Sequence, residues 1–149
     1  KEDNPVSKYT VCVDFDGVLT DYSGWKGEDH FDPPREGAKE FLEELANEYK
    51  VVILTTRPSD KVWAWLREHG LDKWVTDVTD RKPPALVYVD DRAVCFRGNF
   101  RHTLYDIRAF EPYWRKKKKE NMIKRLNNSM LGLSISINEI LDYLRDDER

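Results

Sequence analysis

Asp14 and Asp16 stand two residues apart at the end of an apolar run. Thr55 closes a second such run, and Asp90 and Asp91 close another, with Lys82 eight residues ahead of Asp90. If these runs are neighbouring parallel strands, their carboxyl ends gather four carboxylates, a hydroxyl and an ammonium in one crevice, where open α/β sheets collect ligands. Four like charges at short range do not all stay ionised without a cation. Hard carboxylate oxygens with no Cys or His cluster beside them favour Mg2+. A carboxylate nucleophile, a divalent metal and a lysine together suit phosphoryl transfer, in which charge stabilisation and positioning do most of the work.

The elements that must position these groups are written in the apolar pattern. Tyr9 to Phe15 is a short β-branched run ending in acids and Gly17, and Val51 to Leu54 is a second buried strand. Trp74 to Val78, Leu86 to Val89 and Thr103 to Ile107 read as further strands. Between them, Glu36 to Tyr49 places Ala38, Phe41, Leu42 and Leu45 at the 3, 4 spacing of an amphipathic helix. A second helix, capped by Ser59 or Asp60, carries Val62, Trp63, Leu66 and Leu71 and stops at Gly70. Cys12 belongs to the strand core, and only one of Trp63 and Trp65 can face the core squarely. Strands alternating with helices predict an α/β fold, a Rossmann-like three-layer α/β/α sandwich with a mostly parallel sheet.

The pattern changes at Glu111. A basic run, Arg115 to Lys119, precedes Met122, Ile123, Leu126 and Met130 at helical spacing; Asn127, Asn128 and Gly132 interrupt it. Ser136 and Glu139 then make a capping-box pattern that predicts a last helix. Residues 1–110 therefore read as a catalytic domain and 111–149 as a helical C-terminal extension. Glu111 to Arg125 holds seven basic and two acidic residues, a solvated helix face in the plainer reading and a contact for nucleic-acid backbone in the sharper one. The apolar positions of this tail need cover from its own core or from a second copy of the chain, hence an expected homo-oligomer through the C-terminal helices.

Composition narrows the function classes. Hydrophobic residues at 40% and aromatics at 12% supply a real core and exclude wholesale disorder. The 25 Lys+Arg nearly balance 28 Asp+Glu, so global charge does not point to a polyanion. No apolar stretch exceeds about five residues, against the roughly 20 of a membrane span, so no membrane partner is expected. Lys1 to Lys8 lacks an apolar signal core, and two cysteines suit a reducing compartment, which together predict a cytoplasmic protein.

The same residues carry a family resemblance. DFDGVLT (Asp14 to Thr20) resembles the first motif of the haloacid dehalogenase superfamily of phosphohydrolases, and VVILTTR (Val51 to Arg57) its second. Lys82 in DRKPPA resembles the third, and LVYVDD (Leu86 to Asp91) the fourth. The resemblance covers roughly residues 9 to 107. It implies that Asp14 attacks phosphorus to form an aspartyl-phosphate, and that Asp16 protonates the leaving group, then activates water while its backbone carbonyl helps hold the metal. By the same resemblance Thr55 hydrogen-bonds a phosphoryl oxygen, Lys82 neutralises it and orients Asp14, and Asp90 binds Mg2+, with Asp91 as a further, water-mediated ligand. An acid two residues after the nucleophile favours a phosphatase or phosphotransferase over the carbon–halogen-cleaving and ion-pumping members that the pattern resembles.

Spacing adds one inference. Asp14 and Thr55 are 41 residues apart and Thr55 and Lys82 are 27 apart, intervals too short for the large cap domain many relatives use. The expected enzyme is capless, with a site open to bulky phosphorylated groups. Gly17 frees the backbone where it approaches phosphate, while Thr56 and Arg57 either cap the following helix or contact phosphate. Trp25, Lys26, His30 and Phe31 lie in the loop expected to overhang the site, and Arg92 flanks it. The expected activity is a magnesium-dependent phosphatase acting on a phosphomonoester, either a small molecule or a nucleic-acid end. A phosphatase specific for polynucleotide ends and a catalytically silent binding or assembly module are the alternatives.

Overall fold

The computed structural model describes residues 9–129 and 136–145. In chain order they form β1 (Thr10–Asp14), α1 (Ala38–Glu48), β2 (Lys50–Leu54), α2 (Ser59–Glu68), a 3-10 turn (Asp72–Trp74), β3 (Asp77–Thr79), β4 (Val87–Val89), α3 (Phe100–Ala109), α4 (Tyr113–Ser129) and α5 (Ile137–Arg145). The strands make one all-parallel sheet in the order β3-β2-β1-β4, an α/β fold of the Rossmann-like kind.

Strands buried on both faces read as near-continuous apolar runs rich in β-branched residues, and Val11 to Val13 and Val51 to Leu54 supply them. Val11, Cys12, Val13, Val51 and Ile53 are each at most 3% exposed. The chain steps outward from β1 through β2 to β3, then returns to lay β4 on the other flank of β1. That return, residues 80–86, contains no helix. Three strand spacings come to about 14 Å, well within the roughly 23 Å that such a segment reaches when extended. Strand order reverses between β1 and β4, the place where open α/β sheets hold ligands.

Phe15, Leu42, Leu66 and Val62 are fully buried and join the sheet residues in one apolar cluster. Phe15 meets Trp65 edge to face at 4.9 Å and Phe31 at 5.9 Å. Trp65 is buried while Trp63 packs only partly against the cluster, the division that their two-residue spacing on α2 requires. Gly70, at φ 67, turns the chain left-handed after α2, and the Leu71 N–H donates back to the Leu66 carbonyl at 2.8 Å.

Four sequence expectations are corrected. Thr103–Ile107 is not a strand but the body of α3, with His102 in its first turn. Asn99 caps this helix by accepting from the His102 N–H at 3.0 Å, and a five-residue apolar window was too short to separate the two periods. The expected strand Trp74–Val78 is a 3-10 turn followed by β3, with only Val78 of the three β3 residues buried. Neither Ser59 nor Asp60 caps α2; Pro58 occupies the cap position without a side-chain bond, its fixed φ leading into the first turn. Asn127 and Asn128 do not interrupt α4, which runs through them to Ser129; exposed polar residues in a helix cost only tenths of a kcal/mol each. Gly132 and Met130 lie outside the described residues.

The described residues divide into two compact units, one comprising the chain up to Tyr22 together with Gly27–Asp91, the other Ser23–Lys26 together with the chain from Arg92 on. In the second, the Glu139 N–H donates to the Ser136 hydroxyl at 3.3 Å, half of the expected capping box. Arg125 forks onto the Glu139 carboxylate, tying α4 to α5. Arg115 lies over the Tyr143 ring at 5.3 Å, and Lys116, Lys117 and Lys119 are exposed. No described helix is long and apolar enough to cross a membrane.

Candidate functional site

Val13 pairs with Val89 in parallel register, so the residues that follow, Asp14 and Asp90, leave neighbouring strands at the same level on either side of the switch point. Asp91 comes next. One oxygen from each of these three carboxylates lies within 4.8 Å of the others. Burial, a hydrogen bond to Asp91 and the charges of Asp90 and Asp91 push Asp14 up to about 8, against the opposing pull of the Phe15 backbone. Without a cation the cluster therefore keeps a proton at neutral pH. Three hard oxygen donors under that electrostatic stress fit a hard divalent cation, which relieves it by displacing the proton. Burial, followed by the charges of Asp14 and Asp90, also pushes up the Cys12 thiol, with Lys82 acting the other way.

The side chain of Phe15 sits in the core at 0% exposure, which leaves its two flanking acids outside. Past it the chain turns tightly: the Phe15 carbonyl collects the N–H groups of Val18, Leu19 and Thr20 at 3.3, 3.0 and 3.3 Å. Gly17 takes φ 86 in that turn, a conformation L side chains avoid, and its N–H donates to the Thr20 hydroxyl at 3.3 Å. The Asp16 carboxylate lies outside the three-acid group. Its Oδ2 accepts from Arg57 Nε at 2.7 Å, whereas Oδ1 is buried with no hydrogen-bond partner among the described residues.

Thr55 is the first residue past β2. Its N–H donates to the Thr79 carbonyl at 2.9 Å and its Oγ1 accepts from the Arg57 N–H at 3.1 Å. The hydroxyl proton stays available to donate. Arg57 is not a loose rim cation: its side chain is 3% exposed, Nη1 donates to the Glu28 carbonyl at 2.8 Å, and the guanidinium lies 4.4 Å from the Phe31 ring centre. It clasps the Asp16 turn, the end of β2 and the loop around residues 28–31 in one grip.

Thr56 is exposed, as is Lys82, whose Nζ rests 4.4 Å over the Tyr88 ring. Lys82 makes no ion pair within 4 Å among the described residues. Trp25, Lys26 and Arg92 belong to the second unit, where Arg92 lies 5.1 Å over the Trp114 ring. Sequence reasoning missed Asp32 altogether. It is 7% exposed, its Oδ1 is 3.1 Å from His30 Nε2, its carbonyl accepts from Trp65 Nε1 at 3.0 Å, and its Oδ2 is buried without a hydrogen-bond partner among the described residues. The available signal was an acid two residues after a histidine in the loop already expected to overhang the site.

Comparison of the chain with protein-family models, with characterised proteins and with solved structures gives no match in any of the three.

Proposed function

We propose that this chain is a phosphomonoester hydrolase that works through an aspartyl-phosphate on Asp14 with Mg2+ as its cation. The observation that supports this reading above the others is the meeting of Asp14, Asp90 and Asp91 within 4.8 Å at the switch point of a parallel sheet. These three carboxylates would hold the ion, which when bound supplies positive charge to the clustered acids and to the phosphoryl oxygens.

An Asp14 oxygen attacks phosphorus, and the bond from phosphorus to the leaving-group oxygen breaks as the aspartyl–phosphorus bond forms. Asp16, whose Oδ1 is committed to no fixed bond, donates a proton to the departing oxygen. In the second half-reaction Asp16 takes a proton from water as that water attacks the phosphorus, releasing inorganic phosphate and restoring Asp14. The Thr55 hydroxyl donates to a phosphoryl oxygen, and Lys82, drawn from its seat on Tyr88, adds a second positive charge. The free cysteines Cys12 and Cys95 suit a reducing, cytoplasmic setting.

The test is hydrolysis of phenyl phosphate with Mg2+ present. Turnover that chelation stops, and that Asp14→Asn abolishes in a folded protein, is the expected result. An Asp14→Asn variant with wild-type turnover would remove the nucleophile and the reading with it.

A further inference from the structure

Asp32 and His30 form a second polar pair beside the proposed nucleophile turn. Burying a carboxylate with one oxygen unsatisfied is destabilising and calls for an explanation, and Asp32 Oδ2 has no hydrogen-bond partner among the described residues. Its other oxygen is bonded to His30 Nε2 at 3.1 Å, while the His30 side chain is 44% exposed. A carboxylate can only accept, so this contact fixes a proton on Nε2 and leaves the opposite nitrogen, Nδ1, outside the Asp32 bond on a side chain that is partly exposed. The backbone is equally committed: the His30 N–H donates to the Gly27 carbonyl at 3.3 Å, and the Asp32 carbonyl holds the buried Trp65 indole.

Position gives the pair its meaning. Arg57 grips Asp16 with Nε while touching both the Glu28 carbonyl and the Phe31 ring, so the turn carrying His30 is anchored through a single guanidinium to the acid that protonates the leaving group. Lys61 ties the same turn to α2 through Asp29 at 2.6 Å. An exposed imidazole held in one orientation, on the loop that Arg57 joins to Asp16, suits contact with what is attached to the scissile oxygen rather than with the phosphoryl group itself.

Resting on the phosphohydrolase reading, we propose that His30, oriented by Asp32, binds an anionic oxygen carried by the leaving group, so that the preferred substrate bears a second phosphate beyond the one removed. As an imidazolium, His30 keeps Nε2–H on Asp32 and donates Nδ1–H to that oxygen. Asp32 is the positioning residue and His30 the contact.

The experiment compares three substrates, phenyl phosphate, adenosine 3′,5′-bisphosphate and a 5′-phosphorylated oligonucleotide, in the wild type, His30→Ala and Asp32→Asn. His30→Ala is expected to lower kcat/KM on a substrate with a second phosphate about tenfold more than on phenyl phosphate, mainly through KM. Asp32→Asn reproduces part of that selective loss. A selective loss on the bisphosphate places the second anion on a free nucleotide, and one confined to the oligonucleotide places it on a nucleic-acid end. Equal effects on all three substrates overturn the assignment. A second readout is independent of turnover: in the Asp14→Asn protein, adding adenosine 3′,5′-bisphosphate should shift the His30 ring nitrogen resonances, and an unmoved His30 spectrum with the nucleotide bound rejects the contact. If the wild type hydrolyses none of the three, the phosphohydrolase reading fails while the spectrum still decides the His30 site.

Discussion

Replacing Asp14 with Asn should stabilise the metal-free protein at alkaline pH, because the native carboxylate is held in the wrong charge state for its surroundings. In the fold Asp14 keeps its proton up to about 8, chiefly through burial, the Asp91 hydrogen bond and the neighbouring charges; in the unfolded chain it releases that proton near 4. Between these values the native state binds one more proton than the unfolded state, so stability is full at acid pH and falls as pH rises through the native value. At about 1.4 kcal/mol per unit the ceiling is roughly 6 kcal/mol. Opening of the cluster and counterion uptake reduce it, and we expect a gain on the order of 3 kcal/mol for the Asp14→Asn protein at about pH 8.5. For a chain of this size that is about 6–12 °C in Tm. The assay is thermal or urea unfolding in chelator from about pH 4 to 9: the two proteins should converge toward the acid end, diverge as pH rises to about 8 and keep a constant gap above it. Adding Mg2+ should close the gap by raising the wild type alone, by about 2.7 kcal/mol at one hundred times Kd. Parallel pH curves, or equal Mg2+ effects on both proteins, would show that Asp14 does not sit in a cation-seeking cluster.

The other predictions concern the groups around it. Thr55→Val removes one hydroxyl donor and should reduce kcat on phenyl phosphate about 10²-fold, and it should cost about 1–3 kcal/mol in stability because the buried Arg57 N–H loses its acceptor; a loss of kcat below threefold would take Thr55 out of the proposed phosphoryl site. Phe15→Ala opens a cavity between Trp65 and Phe31 beside Asp14 and Asp16 and should cost about 3–5 kcal/mol in urea unfolding, with any phosphatase turnover impaired even where the protein stays folded. Iodoacetamide on the native protein at about pH 8 should label exposed Cys95 alone, since Cys12 is 2% exposed with its thiol pushed up by burial; equal labelling, read by mass spectrometry of the two peptides, would contradict the placement of Cys12.

The parallel sheet and its acid-bearing ends were legible because β1 and β2 are unbroken apolar runs rich in β-branched residues, and such runs have few other stable placements. The register that sets Asp14 level with Asp90 followed from strand ends alone. What the sequence concealed was decided at short range or by pairing across the fold. Thr103–Ile107 has enough β-branched character for a strand, yet it continues a helix that starts at Phe100 under the Asn99 cap. Asp16 and Arg57, 41 residues apart, carry no local mark of their ion pair, and an arginine after a strand looks the same whether it faces solvent or is clasped. Asp32 was invisible for the same reason: its burial comes from Trp65 and Phe31 packing around Phe15, contacts that no loop composition announces.

The most direct test of phosphorus capture by Asp14 is acid-quenched labelling with a radiolabelled phosphomonoester during turnover with Mg2+, followed by peptide mapping. We expect an acyl phosphate, labile to hydroxylamine, on the peptide that contains Asp14 and absent from the Asp14→Asn protein. Rapid turnover with no trapped label, or label on any other residue, would contradict it.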